Sequence, residues 1–286
     1  WFSISDSDLL LWLQGVNVSK KYDVIIDEID VCPVQIQGPL SEDLMAKLAG
    51  EELREIPYYG LMETNIGGAD VVISQTGFTG EKGYEIYVRD AHENAELVWN
   101  SVLEAGEEFG LMVIAPAHHR RIAAGILSWG QDLDHETSPF QVNLSYQVPR
   151  NKEADYIGKE ELERQRAVID AGDFPFKMRM VGLTLGGKEI TDYAPDFWLI
   201  ADTDGNDMGY VTSPWWSPEL NTNIALGWVP WTSSEVGTKL QVRLPDEFSE
   251  TSGVAVDGEV VDLPFRKSVT PNIREVKKEE GLDYAE

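Results

Sequence analysis

Apolar and polar positions follow two different rhythms along this chain, and the change between them divides it. In the first half, YDVIIDEIDV (22–31) and DVVISQTG (70–77) have the β-branched density of strands. SEDLMAKLAG opens on Ser41 and closes on Gly50, the start and stop signals of a short helix. In DAHENAELVWNSVLEAGEEFG (90–110), Ala95, Val98, Trp99, Val102 and Leu103 recur at helical spacing, and Asp90 with Glu93 resembles a capping pair. A second helix is expected over APAHHRRIAAGIL (115–127). The opening stretch from Trp1 reads as apolar and strand-like.

After about residue 170 the rhythm shortens. AGDFPFK (171–177) reads as a linker, and MRMVGLTLGG, DMGYVTS, NIALGWV, TKLQVRLP and GEVVDLPF follow as short strands separated by Asp-Gly and Ser-Pro punctuation. Regular short strands of this kind predict a small all-β barrel. The expected fold class is α+β, with an α/β module over 1–172 and a barrel over 173–286. No internal repeat or low-complexity segment interrupts either module.

Composition narrows the partners. With 286 residues, 42% of them apolar, the chain has ample material for a core. Fifty acids against 23 Lys and Arg give a formal net charge of −27, which repels nucleic acid and anionic membrane. The acids are scattered along the chain, a pattern suited to high salt, where screening removes self-repulsion; a halophilic protein is expected. No apolar run is long enough to cross a bilayer, and the opening lacks a basic region and a cleavage site. The single cysteine, Cys32, has no intramolecular partner, which fits a reducing compartment, and a cytoplasmic location is expected. The start at Trp1, without methionine, reads as a chain whose N-terminal portion is absent.

Several chemistries find little support. His118, His119 and His135 lack metal-ligand spacing, and adjacent histidines on a helix point apart. Cys32 precedes Pro33 in an apolar strand, the address of a structural thiol. The stretch TGFTGEKGYEIYV (76–88) places Glu85 inside a strand, after a glycine-rich turn and between Tyr84 and Tyr87. On its residues alone, Glu85 reads as a solvated strand position with Ile86 its buried neighbour.

Six stretches in order resemble the glycine-cleavage T-protein superfamily of tetrahydrofolate-dependent enzymes. They are VQIQGP (34–39), SQTGFTGEKGYEIYV (74–88), AAGILSWGQDLDHETSPFQ (123–141), DYIGKEEL (155–162), MGYVTSPWWSPELNTNIALGWV (208–229) and VVDLPF (260–265). The resemblance implies tetrahydrofolate as cofactor, with Glu85 holding the pterin ring. A pterin presents an amino group and a ring N–H side by side, matching the two oxygens of a carboxylate. Tyr87, two residues on and on the same face, would border the ring. Phe78 and Gly80 lie in the turn that lets backbone approach it. Arg121 matches a family arginine, and two readings stand open: contact with the glutamate tail of folate, or an internal ion pair.

Departures from the family pattern qualify this. Gln75 stands where the family usually has Arg and Ala123 where it has Glu; losing both members of a pair costs far less than losing one. Ala117 replaces an arginine that helps glycine-cleavage members bind folate, which argues against that subgroup. IPYY (56–59), the opening WFSISDSDLLLW, APAHHRRI (115–122) and EADYIGKEEL (153–162) are most similar to dimethylsulfoniopropionate demethylases, then to vanillate and syringate O-demethylases.

The implied activity is methyl transfer from a small donor to N5 of tetrahydrofolate, with donors ranked sulfonium, aryl ether, aminomethyl. A sulfonium methyl is already activated and needs mainly alignment and desolvation. An aryl ether wants a general acid, and an aminomethyl donor must expel ammonia. Aromatic faces hold sulfonium cations, making Trp1, Tyr58, Tyr59, Trp215 and Trp216 candidates for a pocket wall. In relatives the acid beside the reacting atoms lies in the portion expected to be absent, so none is assigned. A rival class, folate-binding assembly factors for iron–sulfur enzymes, carries a cysteine signature after the folate motif, and Cys32 is the only cysteine here.

Overall fold

The computed structural model describes residues 1–2, 8–115, 118–150, 152–192 and 196–266. They form two compact units, Trp1–Ala115 and Pro116–Glu286. Residues 3–7 of the opening stretch and Ala117 lie outside the described residues.

In the first unit, helix α1 (Leu9–Lys20) precedes β1 (Val31–Gln37) and α2 (Ser41–Ala49). Strands β2 (Leu61–Ile66), β3 (Ala69–Ser74) and β4 (Gly83–Arg89) follow, then α3 (Ala91–Gly106). The sheet is antiparallel in the order β1-β4-β3-β2. Alternation along β4 buries Tyr84, Ile86 and Val88, which pack with Ile36, Val71 and Ile73 against Leu44 and Met45 of α2 and Val98 and Val102 of α3. The opposite face carries Gln35, Ser74, Glu85 and Tyr87.

Three local expectations are corrected. The ladder runs over Val31–Gln37, while 22–30 forms no strand and leaves Ile25 90% exposed. β-Branched density needs a neighbouring strand and a core to pack against, and all seven residues of β4 pair with 31–37. The apolar run after Asp8 forms a helix instead of a strand, since LLLWL satisfies either period and only length separates them. Asp90 caps α3 through its backbone: it sits at φ 48°, its carbonyl accepts the N–H groups of Glu93 and Asn94 at 3.0 Å each, and its side chain makes no cap.

The second unit contains α4 (His118–Ala123), α5 (Lys159–Asp170) and six strands. These are β5 (Met178–Leu185), β6 (Trp198–Ala201), β7 (Asp207–Ser217), β8 (Thr222–Pro230), β9 (Lys239–Val242) and β10 (Val256–Val261). They close into the expected barrel in the order β10-β5-β8-β7-β6-β9. Leu183, Ile200, Val211, Ala225, Leu240, Val242 and Val260 belong to its core.

The helix read over 115–127 is six residues in α4; it ends as Gly125, at φ 70°, and Ile126 return their N–H groups to Ile122 and Arg121. Ile122, Ala123 and Val142 share a second apolar cluster with Met180, Ile224, Leu226 and Trp228. That shared cluster places Ile122, Ala123 and Val142 in the same compact unit as the barrel. Residues 171–177 form neither helix nor strand. Among the described residues no helix is long and apolar enough to cross a membrane.

Candidate functional site

Glu85 lies mid-strand on the face of the sheet opposite α2 and α3, half-buried, opposite Gln35 of β1 and Ser74 of β3. Two hydroxyls meet its carboxylate. Thr76 Oγ1 donates to Oε2, and the Tyr87 hydroxyl donates to the same oxygen at 3.3 Å. Among the described residues none hydrogen-bonds Oε1. A carboxylate offers about four acceptor positions, so this one is oriented by its neighbours with most of its capacity left over.

The turn between β3 and β4 is pinned at both ends. At its start, Gln75 donates its N–H to Gly60 O at 3.1 Å and accepts the Tyr59 N–H at 3.2 Å. At its end, the Lys82 carbonyl accepts Gly38 N–H at 2.9 Å and the Ser41 hydroxyl at 3.2 Å, while its ammonium pairs with Glu42. Between these points Phe78 is exposed and Gly80 holds φ 68°, a left-handed conformation that a side chain strains. The Lys82 hydrogen bond, then Arg54, keeps the Glu42 carboxyl below the usual carboxylate range.

Tyr58 and Tyr59 reach the same end of the sheet through the Tyr59–Gln75 backbone bond, with ring centroids 4.4 Å apart and edge-on. Tyr59 holds φ 64°, uncommon for a bulky residue and costly unless its surroundings impose it. Trp1 packs near Tyr87 at 6.4 Å between centroids, with the Arg89 guanidinium 5.0 Å from the Trp1 ring. The first unit thus assembles Glu85, Tyr87, Phe78, Gly80, Tyr58 and Tyr59 around one sheet end. Thr76 belongs with them and was not singled out from sequence, although TGFTGE carries it next to Gly77.

The remaining candidates lie in the second unit. Arg121 makes the internal ion pair: it is 1% exposed, with Nη1 2.8 Å from Asp132 Oδ2 and Nη2 donating to Ser213 at 2.8 Å. Of the two readings left open by the sequence, the ion pair is the one these contacts display. Burial pushes Arg121 down from its ordinary value, with Asp132 opposing. Trp215 and Trp216, consecutive on β7, face opposite sides. The Trp215 ring lies 5.7 Å from that of His118 beside a small cavity also lined by Arg121, Gln131 and Ser213. The Trp216 N–H donates to Ile190 O at 2.8 Å. Burial, then Arg121, lowers the His118 pKa; burial, then Arg120 and Arg266, lowers that of His119.

Residues 3–152 match the GCVT N-terminal domain and residues 179–267 the glycine cleavage T-protein C-terminal barrel domain. The chain is 33% identical over 246 residues to the dimethylsulfoniopropionate demethylase of Ruegeria pomeroyi, covering 86% of this chain and 64% of that protein. It is 30% identical over 277 residues to an aminomethyltransferase of Geobacillus, covering 92% of this chain and 71% of the relative. The chain therefore spans less than two thirds of the demethylase. In fold it is similar to the crystal structure of glycine cleavage system aminomethyltransferase T from Bartonella henselae, with a TM-score of 0.67 at 21% identity, covering 91% of this chain and 67% of that one.

Proposed function

The chain belongs to the glycine cleavage T-protein family, and on that footing we propose that it serves a tetrahydrofolate-dependent one-carbon transfer in which Glu85 holds the pterin. The observation that carries the reading is the Glu85 carboxylate, aimed by Thr76 and Tyr87 through one oxygen while Oε1 has no partner among the described residues. Its chemistry fits the pterin fork of amino group and ring N–H, because charge-assisted bonds of that kind are roughly twice as strong as neutral ones. Tyr87 borders the same face, and the turn at Phe78–Gly80 lets backbone come close. Tetrahydrofolate, when bound, supplies N5 as acceptor of the one-carbon group.

The donor we favour is a sulfonium, with dimethylsulfoniopropionate first. The demethylase relative supports it. So does the Tyr58–Tyr59 pair, since aromatic faces attract a desolvated cation. A second reading, aminomethyl transfer, is supported by the Geobacillus aminomethyltransferase, which the chain covers to a greater extent than the demethylase.

The test incubates the protein expressed from its complete reading frame, in high salt, with tetrahydrofolate and, separately, dimethylsulfoniopropionate, vanillate or a glycine-derived aminomethyl donor, and quantifies the folate products. 5-Methyltetrahydrofolate from the sulfonium is the expected result. Methylenetetrahydrofolate from the aminomethyl donor moves the assignment to the second reading. Folate binding without turnover of any donor overturns the transferase and favours a folate-binding factor.

A further inference from the structure

Two consecutive pairs, Gln75–Thr76 and Tyr84–Glu85, face each other where the β3–β4 ladder ends at Ser74 and Glu85. Strand alternation sends Tyr84 into the core and Glu85 to the opposite face. The pairs are joined on both sides of the sheet. On the outer side Thr76 donates to Glu85. On the inner side Gln75 Nε2 donates to the Tyr84 hydroxyl at 3.4 Å, and that hydroxyl donates to Glu42 Oε2 at 3.4 Å. Glu42 is held in turn by Lys82 and by Arg54 Nη1 at 3.1 Å.

We propose that Gln75 and Tyr84 are positioning residues for the Glu85 carboxylate, an inference that rests on Glu85 as the folate anchor. Thr76 meets Glu85 only while the Gln75–Thr76 peptide keeps its orientation, because successive side chains leave an extended backbone on opposite sides. The two backbone bonds of Gln75 fix its position along the strand end. Its side chain resists rotation of the peptide about the strand axis by bonding a phenol enclosed in the core: Tyr84 is fully buried. A neutral amide suits this place, meeting the phenol without adding a third cation beside the two already on Glu42. The resemblance to the family leads one to expect arginine at this position; glutamine keeps a donor there and drops the charge.

The experiment is calorimetric titration of the full chain with tetrahydrofolate, comparing wild type, Tyr84→Phe, Gln75→Met and Glu85→Gln with the two inner substitutions repeated in the Glu85→Gln background. Each inner variant is expected to weaken binding about two- to tenfold, the worth of one neutral hydrogen bond. Gln75→Met is expected to keep the wild-type unfolding midpoint. In the Glu85→Gln background the inner substitutions are expected to add almost nothing, since they act through the group already altered. Unchanged affinity in both inner variants overturns the inference, as does an equal loss in the Glu85→Gln background, which would mark a general effect on stability. If Tyr84→Phe does not fold, Gln75→Met decides alone. If Glu85→Gln binds like wild type, the folate reading of the site fails, and the positioning role falls with it.

Discussion

Arg121 and Asp132 meet at 2.8 Å with side chains 1% and 0% exposed, enclosed against Thr212 and Ser213 of β7. Asp132 also accepts the Ser128 N–H at 2.8 Å and the hydroxyls of Thr212 and Ser213 at 2.6 and 2.5 Å. Removing one partner leaves a buried charge uncompensated. Asp132→Leu is therefore expected to destabilise the protein by about 3–5 kcal/mol, while Arg121→Met combined with Asp132→Leu costs much less. Denaturant unfolding of the single and double variants checks this, and equal losses would falsify the account.

Glu85→Gln keeps the shape of the side chain and removes its charge. Tetrahydrofolate affinity is expected to fall by about 1.5–3 kcal/mol, the range for a hydrogen bond to a charged group. Equilibrium titration of wild type and variant measures it, and equal affinities would remove Glu85 from the folate site.

His118 and His119 both have folded-state pKa values below the ordinary histidine value, chiefly through burial. Between the folded value and about 6.5 the unfolded chain binds more protons, so stability rises with pH there and is lost as pH falls. Thermal unfolding from pH 7.5 down to 5.5 is expected to show a falling midpoint, with a shallower fall in His118→Gln. An identical slope in that variant would assign the dependence to other groups.

The excess of 50 acids over 23 Lys and Arg predicts a strong salt response. Raising ionic strength from 0.1 to 1 M shortens the screening length from about 10 to about 3 Å. The unfolding midpoint is expected to climb steeply across that range in sodium chloride. A flat profile would mean that the acids are not in appreciable mutual repulsion.

Gly209 sits on β7 where a Cβ would stand 2.0 Å from the Trp228 carbonyl oxygen of β8. No flexible side chain is available to yield there. Gly209→Ala is expected to cost at least the roughly 1–3 kcal/mol of an overpacked site, read as a lowered unfolding midpoint.

The barrel was legible because its strands announce themselves twice, by β-branched residues and by the turn signals between them. β6 escaped notice because WLIA at 198–201 has no polar position to mark an alternation, whereas the equally short β9 lies in the alternating TKLQVRLP. The segment 22–30 misled for the opposite reason: it carries strand composition with no strand beside it to pair with. Of the candidate site, the shared face of Glu85 and Tyr87 was legible. Glu85 and Tyr87 follow from the motif and from alternation. The roles of Thr76 and Gln75 depend on how the β3–β4 turn folds back, and the enclosure of Arg121 depends on Asp132 and Ser213, 11 and 92 positions away. Such pairings come from tertiary contact, which no local pattern encodes.

A ring of strands has no margin, whereas the open sheet of the first unit ends at β1 on one side and β2 on the other. The two margins differ in how well they repel strangers. Proline at position 33 withholds a donor from the β1 side. The β2 side offers a regular six-residue strand with Leu61 largely exposed. Among the described residues of the first unit β2 is thus the less protected margin, and a charged residue in place of Leu61 is the change that would protect it.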